Sequence, residues 1–344
     1  MRALVYDAFS ATPTVRTVDD PSCPPAGAVI TVRATGLCRS DWHAWVGHDP
    51  GVSPPHVPGH EFAGTIAALG SLVSGWTVGD RVTVPFGCAC GHCPTCRRGE
   101  QQVCDNQFQP GFTHPGSFAQ FVAIDHAAVN LVGIPDDVDD DAAASLGCRF
   151  VTAYRAVVHH GRPAPGDWVA VHGSGGVGLS AVMVAAAHGA RVVAVDVSSD
   201  ALDLARAVGA EATVDARGRD VAALVREITG GGAAVSIDAL GSLDTCQNSI
   251  RSLRKRGRHV QVGLLLGDDD LPPVPMGAVI SGELELYGSH GMAAHAYPQV
   301  LAEIAAGALA PQRLVRRHIG LEDAGRALAT MSLDPLPGVT MIYP

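Results

Sequence analysis

The sequence lacks two features that would tie it to a membrane or to a nucleic acid. Its apolar runs are broken by glycine, histidine or charge well before the ~18 residues that span a bilayer. Positive charge is scarce, since 24 Lys and Arg residues face 34 Asp and Glu residues, for a net charge of -10. We expect neither partner, because anionic surfaces are bound by basic faces. The one basic run, Arg254-Lys255-Arg256 with Arg258, is interpreted as a solvated helix end.

We also expect no secretory leader, because the residues from Met1 to Tyr6 read directly as a strand. We therefore expect a cytoplasmic protein. The 344 residues, 47% of them hydrophobic, suffice for about two domains. Nine cysteines in a cytoplasmic chain favour metal ligands over disulfides.

The pattern changes near residue 150. Before it, short alternating runs rich in nearby Pro and Gly predict an irregular, mainly antiparallel β domain. After it, six apolar runs alternate mostly with helix-length segments, which predicts a doubly wound parallel sheet. These strands are predicted at 169–172, 192–196, 212–214, 235–238, 259–262 and 284–287. The tail, with two helices and a last strand, is assigned to the first domain. The predicted domains are thus 1–149 with 289–344, and 150–288.

A glycine-rich loop follows the first parallel strand. Its glycines, in the run Gly173-Ser174-Gly175-Gly176-Val177-Gly178, let backbone N–H groups approach a pyrophosphate at a helix N-terminus. Asp196 ends the next strand, where a carboxylate accepts hydrogen bonds from the adenosine ribose. The carboxylate would repel a 2′-phosphate, and residues 197–200 offer no arginine, so we predict NAD rather than NADP. The alternative is a tight packing turn beside a surface aspartate.

Four cysteines lie close together in one loop: Cys90, Cys93, Cys96 and Cys104. Four thiolates around one ion leave no open position, so this spacing predicts a structural zinc. A chance cluster is the alternative. Cys88 lies just outside and competes as a ligand, while His92 is interpreted as a loop residue.

Three further ligand candidates are far apart in sequence, namely Cys38, His60 and Cys148. Two thiolates and one imidazole form an open zinc site with a fourth position for water or substrate. Spacing alone is equally compatible with three separate buried residues. Asp41 could orient His60 through its second ring nitrogen, and Glu61 would lie beside the metal or act as an occasional fourth ligand.

Taken together, these motifs resemble the zinc-containing alcohol dehydrogenases of the medium-chain dehydrogenase/reductase superfamily, over essentially the whole chain. The matching segments are 36–43, Gly59-His60-Glu61, the four-cysteine loop, Gly147-Cys148 and the glycine-rich loop. The resemblance implies a GroES-like catalytic domain, a Rossmann domain, NAD and two zinc ions per chain. Alcohol dehydrogenases are themselves the standard example of an open two-cysteine, one-histidine zinc site.

The resemblance also assigns roles to single residues. It implies catalytic zinc on Cys38, His60 and Cys148, and a proton relay from Ser40 and His43 through the nicotinamide ribose. The remaining implied contacts are Arg39 on the pyrophosphate, Thr152, Val177 and Val262 on the nicotinamide, and Phe86 and Trp45 in the substrate pocket. Many relatives have an arginine on the pyrophosphate where Gly338-Val339-Thr340 has valine, a departure that bears on cofactor affinity rather than chemistry.

The chemistry explains why zinc is expected. An alcohol has a pKa of roughly 16, so an alkoxide at neutral pH costs ~12 kcal/mol, most of which a zinc ion removes. Ser40 can pass the proton on, because a hydroxyl both donates and accepts. His43 is expected to titrate near neutrality and release it. Without the resemblance, a turn hydroxyl and a surface histidine would be the simpler interpretations.

The leading hypothesis is an NAD- and zinc-dependent oxidoreductase that interconverts alcohols and aldehydes or ketones by hydride transfer from a zinc-bound alkoxide. Alternatives are a polyol, amino-alcohol or formaldehyde dehydrogenase of this fold, or a non-catalytic nucleotide-binding or redox-sensing protein. Trp42, Trp45 and Phe86 suggest an apolar substrate. By resemblance we expect a homo-oligomer, a tetramer or dimer, joined partly through residues 284–287.

Overall fold

A computed structural model describes residues 1–266, 269–333 and 336–344. Its chain forms two compact units, Met1–Val151 with Gly291–Pro344, and Thr152–His290. The second unit is thus inserted in the sequence of the first. The functional assignment of the predicted domains, 1–149 with 289–344 and 150–288, stays a prediction.

The strands of the described chain are β1 (Arg2–Val5), β2 (Thr14–Thr17), β3 (Ala28–Leu37), β4 (Phe62–Leu69), β5 (Arg81–Thr83), β6 (Phe121–Ile124), β7 (Val132–Gly133), β8 (Trp168–His172), β9 (Arg191–Asp196), β10 (Ala212–Asp215), β11 (Ala233–Asp238), β12 (Leu253–Gln261), β13 (Glu285–Gly288), β14 (Val315–Gly320) and β15 (Val339–Tyr343). The first seven and the last two lie in the first unit, and β8 to β13 lie in the second.

The α-helices are α1 (Arg39–Trp45), α2 (Pro94–Arg97), α3 (Ala127–Asn130), α4 (Asp140–Ala144), α5 (Val151–Tyr154), α6 (Gly176–Ala187), α7 (Ser199–Ala207), α8 (Val221–Ile228), α9 (Leu243–Arg251), α10 (Met276–Gly282), α11 (Tyr297–Ala305) and α12 (Leu321–Thr330). Two π-helical segments cover Leu146–Phe150 and Arg155–Gly161, and 3₁₀ turns cover Gln101–Val103, Ala294–Ala296 and Pro311–Leu314. Within the residues that the structure describes, every helix is too short or too polar to cross a bilayer.

The first unit is built on a sheet in the order β14-β15-β3-β4-β5-β7, with β6 paired to β3. Its pairs are antiparallel except β14 with β15. The predicted antiparallel β domain is confirmed. β14 was not predicted, because its residues Val315-Arg316-Arg317-His318-Ile319-Gly320 are mostly polar and exposed. The long strand β3 ends at Leu37, directly before Cys38, and β4 begins directly after Glu61.

The second unit holds a parallel sheet in the order β10-β9-β8-β11-β12-β13. In sequence terms this order is 3-2-1-4-5-6, that of a Rossmann fold, and it confirms the predicted doubly wound sheet. β11 is buried throughout and β8 nearly so, as is typical of parallel strands covered by helices on both faces. The order reverses beside β8, so the crevice expected for a dinucleotide lies at the carboxyl end of this strand.

The interpretation of the basic run as a helix end is wrong. Arg254, Lys255, Arg256 and Arg258 lie in β12, which pairs with β11 and β13. The register between β11 and β12 shifts at this point, and Arg256 has a φ of +62°. Leu253 before the run and Arg258 at its end pair with β11, so Arg254 to Arg256 form a bulge between paired residues, which explains why no alternating pattern is visible.

Candidate functional site

The structure brings together four residues from three separate segments of the first unit. Cys38 lies between β3 and α1, His60 and Glu61 directly precede β4, and Cys148 lies in the π-helical segment Leu146–Phe150. One ligand atom from each residue lies within 4.8 Å of the others. π-Helical turns are uncommon and often occur at functional sites. Gly59 has a φ of +104°, and a Cβ there would lie 2.5 Å from the Phe118 ring, so glycine is needed for the turn that presents His60.

Asp41 orients the imidazole of this cluster. Its Oδ1 atom lies 2.9 Å from His60 Nδ1, and its Oδ2 atom accepts a 2.8 Å hydrogen bond from the Cys38 backbone N–H. Among the residues that the structure describes, the buried His60 Nε2 has no hydrogen-bond partner. A buried nitrogen of this kind costs free energy unless another ligand satisfies it. Two sulfurs and this nitrogen therefore fit a zinc ion, with Asp41 fixing the ring tautomer.

Glu61 is engaged by a residue that the sequence did not reveal. Its carboxylate pairs with the Arg149 guanidinium, and Oε1 accepts a 2.9 Å hydrogen bond from the Arg149 backbone N–H. Arg149 is 5% exposed, and its Nη1 donates a 2.8 Å hydrogen bond to the Leu37 carbonyl. Burial opposes its charge, but Glu61 and the neighbouring thiols raise the pKa of Arg149 above its ordinary value. Only its position beside Cys148 could have drawn attention to it.

A second group of ligand atoms occupies the loop around α2. The sulfurs of Cys90, Cys93, Cys96 and Cys104 lie within 4.8 Å of one another, with 3.5 Å from Cys104 to Cys90 and 3.7 Å from Cys104 to Cys93. Thiolates bound tetrahedrally at ~2.3 Å would lie ~3.8 Å apart, so the loop is nearly in the shape that zinc requires.

Backbone N–H groups point at these sulfurs. Cys104 Sγ accepts from the N–H groups of Cys90 and Asn106, both at 3.3 Å, and Cys93 Sγ accepts from Cys96 at 3.4 Å. Such donors favour the thiolate form that binds metal. Cys88 stays apart, with its sulfur 3.3 Å from the Pro85 carbonyl, and His92 contacts the Cys90 carbonyl. Within the described residues, the clusters around His60 and α2 are the two groups able to hold a metal.

Comparison with known proteins identifies the family to which the chain belongs. Residues 24–136 match the alcohol dehydrogenase GroES-like domain model, and residues 176–306 match the zinc-binding dehydrogenase model. An alcohol dehydrogenase of Geobacillus stearothermophilus is 35% identical over 84% of each chain. One from Moraxella sp. (strain TAE123) is 33% identical over 100% of this chain and 95% of its own. This chain belongs to the zinc-binding alcohol dehydrogenase family.

Solved structures agree with this assignment. The alcohol dehydrogenase TADH from Thermus sp. ATN1 has a TM-score of 0.92 and 31% identity, covering 100% of this chain and 99% of its own. An NAD-dependent alcohol dehydrogenase has a TM-score of 0.89 at 27% identity, covering 100% of both chains. A dehydrogenase from Sinorhizobium meliloti 1021, solved with NADP, has a TM-score of 0.88 at 27% identity, covering 100% of this chain and 99% of its own. Family membership therefore supports an alcohol dehydrogenase fold and activity without choosing the nicotinamide cofactor.

The predicted relay residues lie on α1. Ser40 Oγ is 3.9 Å from Cys38 Sγ, and His43 lies one turn further along. Burial, together with the charges of His48 and Arg39, lowers the pKa of His43 to about 4. The expectation that His43 titrates near neutrality is therefore wrong, because its imidazole is half-buried and lies close to Arg39 and His48.

His48 is a second residue that the sequence did not reveal. The helix ends at Trp45 with Val46 as its C-cap, and Gly47, with a φ of +87°, reverses the chain. The His48 backbone N–H then donates to the His43 carbonyl at 2.9 Å, the long-range bond of a Schellman cap. This cap sets the two rings together, with Nδ1 of His43 3.0 Å from Nδ1 of His48.

The cofactor candidates of the second unit lie at the carboxyl ends of its parallel strands. The glycine-rich loop follows β8, Asp196 ends β9, and Val262 follows β12. A Cβ on Gly178 would lie 1.8 Å from the Gly173 carbonyl oxygen, so only glycine permits this close turn. Asp196 accepts backbone hydrogen bonds from Ser174 at 2.6 Å and Ser198 at 2.9 Å, which join the loop to the end of β9.

The helix after this loop suits an anion. Gly175 is the N-cap of α6 and offers no side chain to cap its first N–H groups, while Gly176, Val177 and Gly178 form its first turn. A pyrophosphate therefore fits this N-terminus. Thr152 is buried in α5 and Val177 is half-buried. Their predicted place beside a nicotinamide stays a prediction.

The remaining candidates lie in the first unit. Phe86 and Phe112 both face His60, with ring centroids 6.3 Å and 4.8 Å from its own. Phe112 was not predicted. Trp45 packs in the core cluster that also holds Phe112, and its Nε1 donates to the Ala11 carbonyl at 2.7 Å. Arg39 donates to Ser332 Oγ at 2.5 Å and lies over the Trp42 ring. The roles of Trp45 in substrate binding and of Arg39 on the pyrophosphate stay predictions.

Proposed function

We propose that this protein is an NAD-dependent, zinc-dependent alcohol dehydrogenase that interconverts alcohols and aldehydes or ketones. One observation carries the proposal: Cys38, His60 and Cys148 converge from three segments around a buried His60 Nε2 that has no hydrogen-bond partner in the described part of the chain. We assign the catalytic domain to 1–149 with 289–344, the nucleotide-binding domain to 150–288, and two zinc ions to each chain, one at each cluster. The predicted cytoplasmic location stays a prediction.

Cys38, His60, Glu61 and Cys148, called the first cluster from here on, form the site where the reacting oxygen would be bound and oriented. Cys38, His60 and Cys148 hold the ion, and Asp41 fixes the His60 ring. When bound, zinc would activate the alcohol oxygen as a Lewis acid and NAD would accept the hydride. Phe86 and Phe112 flank His60 with apolar rings, which favours exclusion of water and an apolar substrate.

The residues proposed to transfer the proton lie on α1. The Ser40 hydroxyl can accept a proton from the substrate and donate its own. His43 is neutral at pH 7, since its pKa lies at about 4, so it can take the proton at one ring nitrogen and release another from Nδ1. His48 Nδ1, 3.0 Å away, is placed to receive it. Half-buried His43 and exposed His48 are therefore proposed as the exit of the relay.

Substitution Ser40→Ala tests this relay. We expect kcat at pH 7 to fall by about 10²-fold, the usual scale for removing one proton-transfer group, and to recover partly at higher pH as hydroxide takes over. The control is Ser10→Ala, at an exposed turn outside the cluster. Steady-state rates of both variants and of the unmodified protein are measured between pH 6 and 10. Equal profiles for Ser40→Ala and the control would remove Ser40 from the relay.

The choice of NAD is supported by Asp196. Its carboxylate is fixed by two backbone N–H groups at the end of β9, where it would repel a 2′-phosphate. We expect Asp196→Gly to reduce the NAD over NADP preference in kcat/KM by about 10-fold or more, since a like-charge repulsion of ~1.4 kcal/mol is lost. Asp200→Gly, four residues further on, is the matched control. An unchanged ratio in Asp196→Gly would refute the assignment.

A homo-oligomer, dimer or tetramer, is also proposed. β13 is the last strand of its sheet and pairs with β12 alone within the described chain, while α10 buries none of its residues. Ile280 in α10 is 73% exposed and Met276 is 52% exposed. An unpaired strand edge beside exposed apolar side chains is typical of a self-association surface. Sedimentation of the purified protein measures the assembly.

The proposal as a whole is tested by following reduced nicotinamide with NAD and a panel of primary, secondary, aromatic and polyol alcohols, with and without a zinc chelator. We expect chelator-sensitive turnover with some members of the panel. Preference for polyols, amino alcohols or formaldehyde would select the related dehydrogenases instead. Protein that holds two zinc ions per chain yet turns over none of these would favour a non-catalytic nucleotide-binding or redox-sensing role.

A further inference from the structure

The contacts of Arg149 reach each segment that carries a candidate ligand of the first cluster. Arg149 itself follows Cys148 in the chain. Its Nη1 donates to the carbonyl of Leu37, the residue before Cys38, and its guanidinium and backbone N–H both contact Glu61, the residue after His60. One buried side chain thus links three segments that are far apart in sequence.

Two glycines leave room for this arrangement. A Cβ on Gly36 would lie 2.4 Å from Arg149 Nη2 and 2.7 Å from Glu61 Oε2. A Cβ on Gly147 would lie 2.8 Å from Glu61 Cα. The side chain of any other residue at these positions would displace the ion pair, so the space for the pair is built into the backbone.

The charges explain what the pair does. Two thiolates neutralise a divalent ion, and a third anion from Glu61 would leave the site with an excess negative charge. Arg149 supplies a positive charge that balances the Glu61 carboxylate, and the two side chains form an ion pair. Glu61 is 0% exposed. A buried carboxylate without this partner would need another cation. The nearest candidate is the metal position itself, since a carboxylate oxygen of Glu61 already lies within 4.8 Å of the other ligand atoms.

We infer that Arg149 is a positioning residue that keeps Glu61 off the catalytic metal and so keeps the fourth coordination position open. This inference rests on the proposed function. With Arg149 in place, zinc has three protein ligands and one free position. Without it, Glu61 becomes the fourth ligand and the site takes the closed form of a structural site.

The test uses the zinc-loaded full chain and four variants: Arg149→Met, Arg149→Lys, Glu61→Gln and the double variant Arg149→Met with Glu61→Gln. The rate of zinc release to a chromophoric chelator is measured beside alcohol-dependent turnover. The zinc of the four-cysteine loop serves as an internal reference within each variant. Cobalt substitution gives a second readout, because its visible bands respond to a change of ligand.

In Arg149→Met we expect zinc release from the first cluster to slow by about 10-fold or more and turnover to fall by about 10- to 100-fold, the usual scale for altering residues around a metal site. The double variant should return both quantities to within about threefold of the unmodified protein, because the competing carboxylate is gone. Glu61→Gln alone should release zinc at the unmodified rate, since Glu61 is then not a ligand.

Other outcomes overturn the inference. Faster zinc release in Arg149→Met without rescue by Glu61→Gln would make Arg149 a structural residue only. Loss of zinc in Glu61→Gln alone would make Glu61 a direct ligand even with Arg149 present. If Arg149→Met does not fold, Arg149→Lys and Glu61→Gln still test the inference. Lysine keeps the positive charge and should keep Glu61 off the metal, so both variants should release zinc at the unmodified rate. Failure of the proposed function is distinct, since it appears as absent turnover in the unmodified protein while the release rates stay measurable.

Discussion

The two candidate metal clusters of the first unit each bring four ligand atoms within 4.8 Å of one another, but by different means. In the loop around α2, four cysteines lie between residues 90 and 104, and backbone N–H groups from the same loop orient their sulfurs. Around His60, the ligands come from the end of β3, the start of β4 and a π-helical turn near residue 148, and buried side chains orient them. The loop is a local motif, whereas the cluster around His60 exists only once the sheet has formed.

The difference corresponds to closed and open coordination. Four thiolates satisfy zinc completely, so the loop can add stability but no chemistry. The other cluster has three ligands and a fourth group, Glu61, that is already paired with Arg149. Under the proposed function, the loop would contribute to stability, while the cluster around His60 would provide a position where a substrate can bind. Each prediction below separates these two roles.

The largest effect is expected for Cys148→Ser. Turnover of alcohol with NAD should fall by about 10³-fold, since the site loses a ligand and with it the electrostatic activation of the substrate. Thermal stability should change little, and one zinc per chain should remain in the four-cysteine loop. Metal analysis and steady-state rates measure both. Cys246→Ser, a buried thiol outside either cluster, is the control. Turnover near the unmodified rate would contradict the assignment of Cys148.

The second effect concerns stability. Cys96→Ser should lower Tm by about 10 °C or more, because structural zinc contributes several kcal/mol to folding. The folded fraction should keep its zinc at the first cluster and a substantial part of its turnover. Cys88→Ser is the matched control, since Cys88 lies in the same segment but bonds to the Pro85 carbonyl. A Tm unchanged in Cys96→Ser but lowered in Cys88→Ser would show that the ligand set is misassigned.

The smallest effect compares the groups that support the ligands. Asp41→Asn should weaken zinc binding at the first cluster by about 10- to 100-fold, because the His60 ring loses its charged acceptor. Asp105→Asn is the counterpart in the loop, where Asp105 accepts a 2.7 Å hydrogen bond from Thr95. Asp105→Asn should change the zinc affinity of the loop by no more than a few-fold, because backbone groups orient those sulfurs. Titration against a competing chelator measures both affinities, and equal losses would show that the two clusters are supported alike.

The sequence by itself determined the features whose signals are local. Apolar runs separated by helix-length segments predicted the parallel sheet of the second unit, and a glycine-rich loop after its first strand predicted where a dinucleotide fits. Closely spaced cysteines predicted the structural site. Each of these depends on residues that are neighbours in the chain, so spacing alone carries the information.

Tertiary structure alone decided the rest. It brings Cys38, His60 and Cys148 within reach of one ion, although spacing was equally compatible with separate buried residues. It buries Arg149 against Glu61, places Phe112 on His60, sets His48 on His43 and turns a basic run into a strand. These contacts join segments or follow a chain reversal, and strand pairing and helix capping, rather than local preference, determine them. An arginine or histidine appears exposed in a sequence until folding shows which groups surround it.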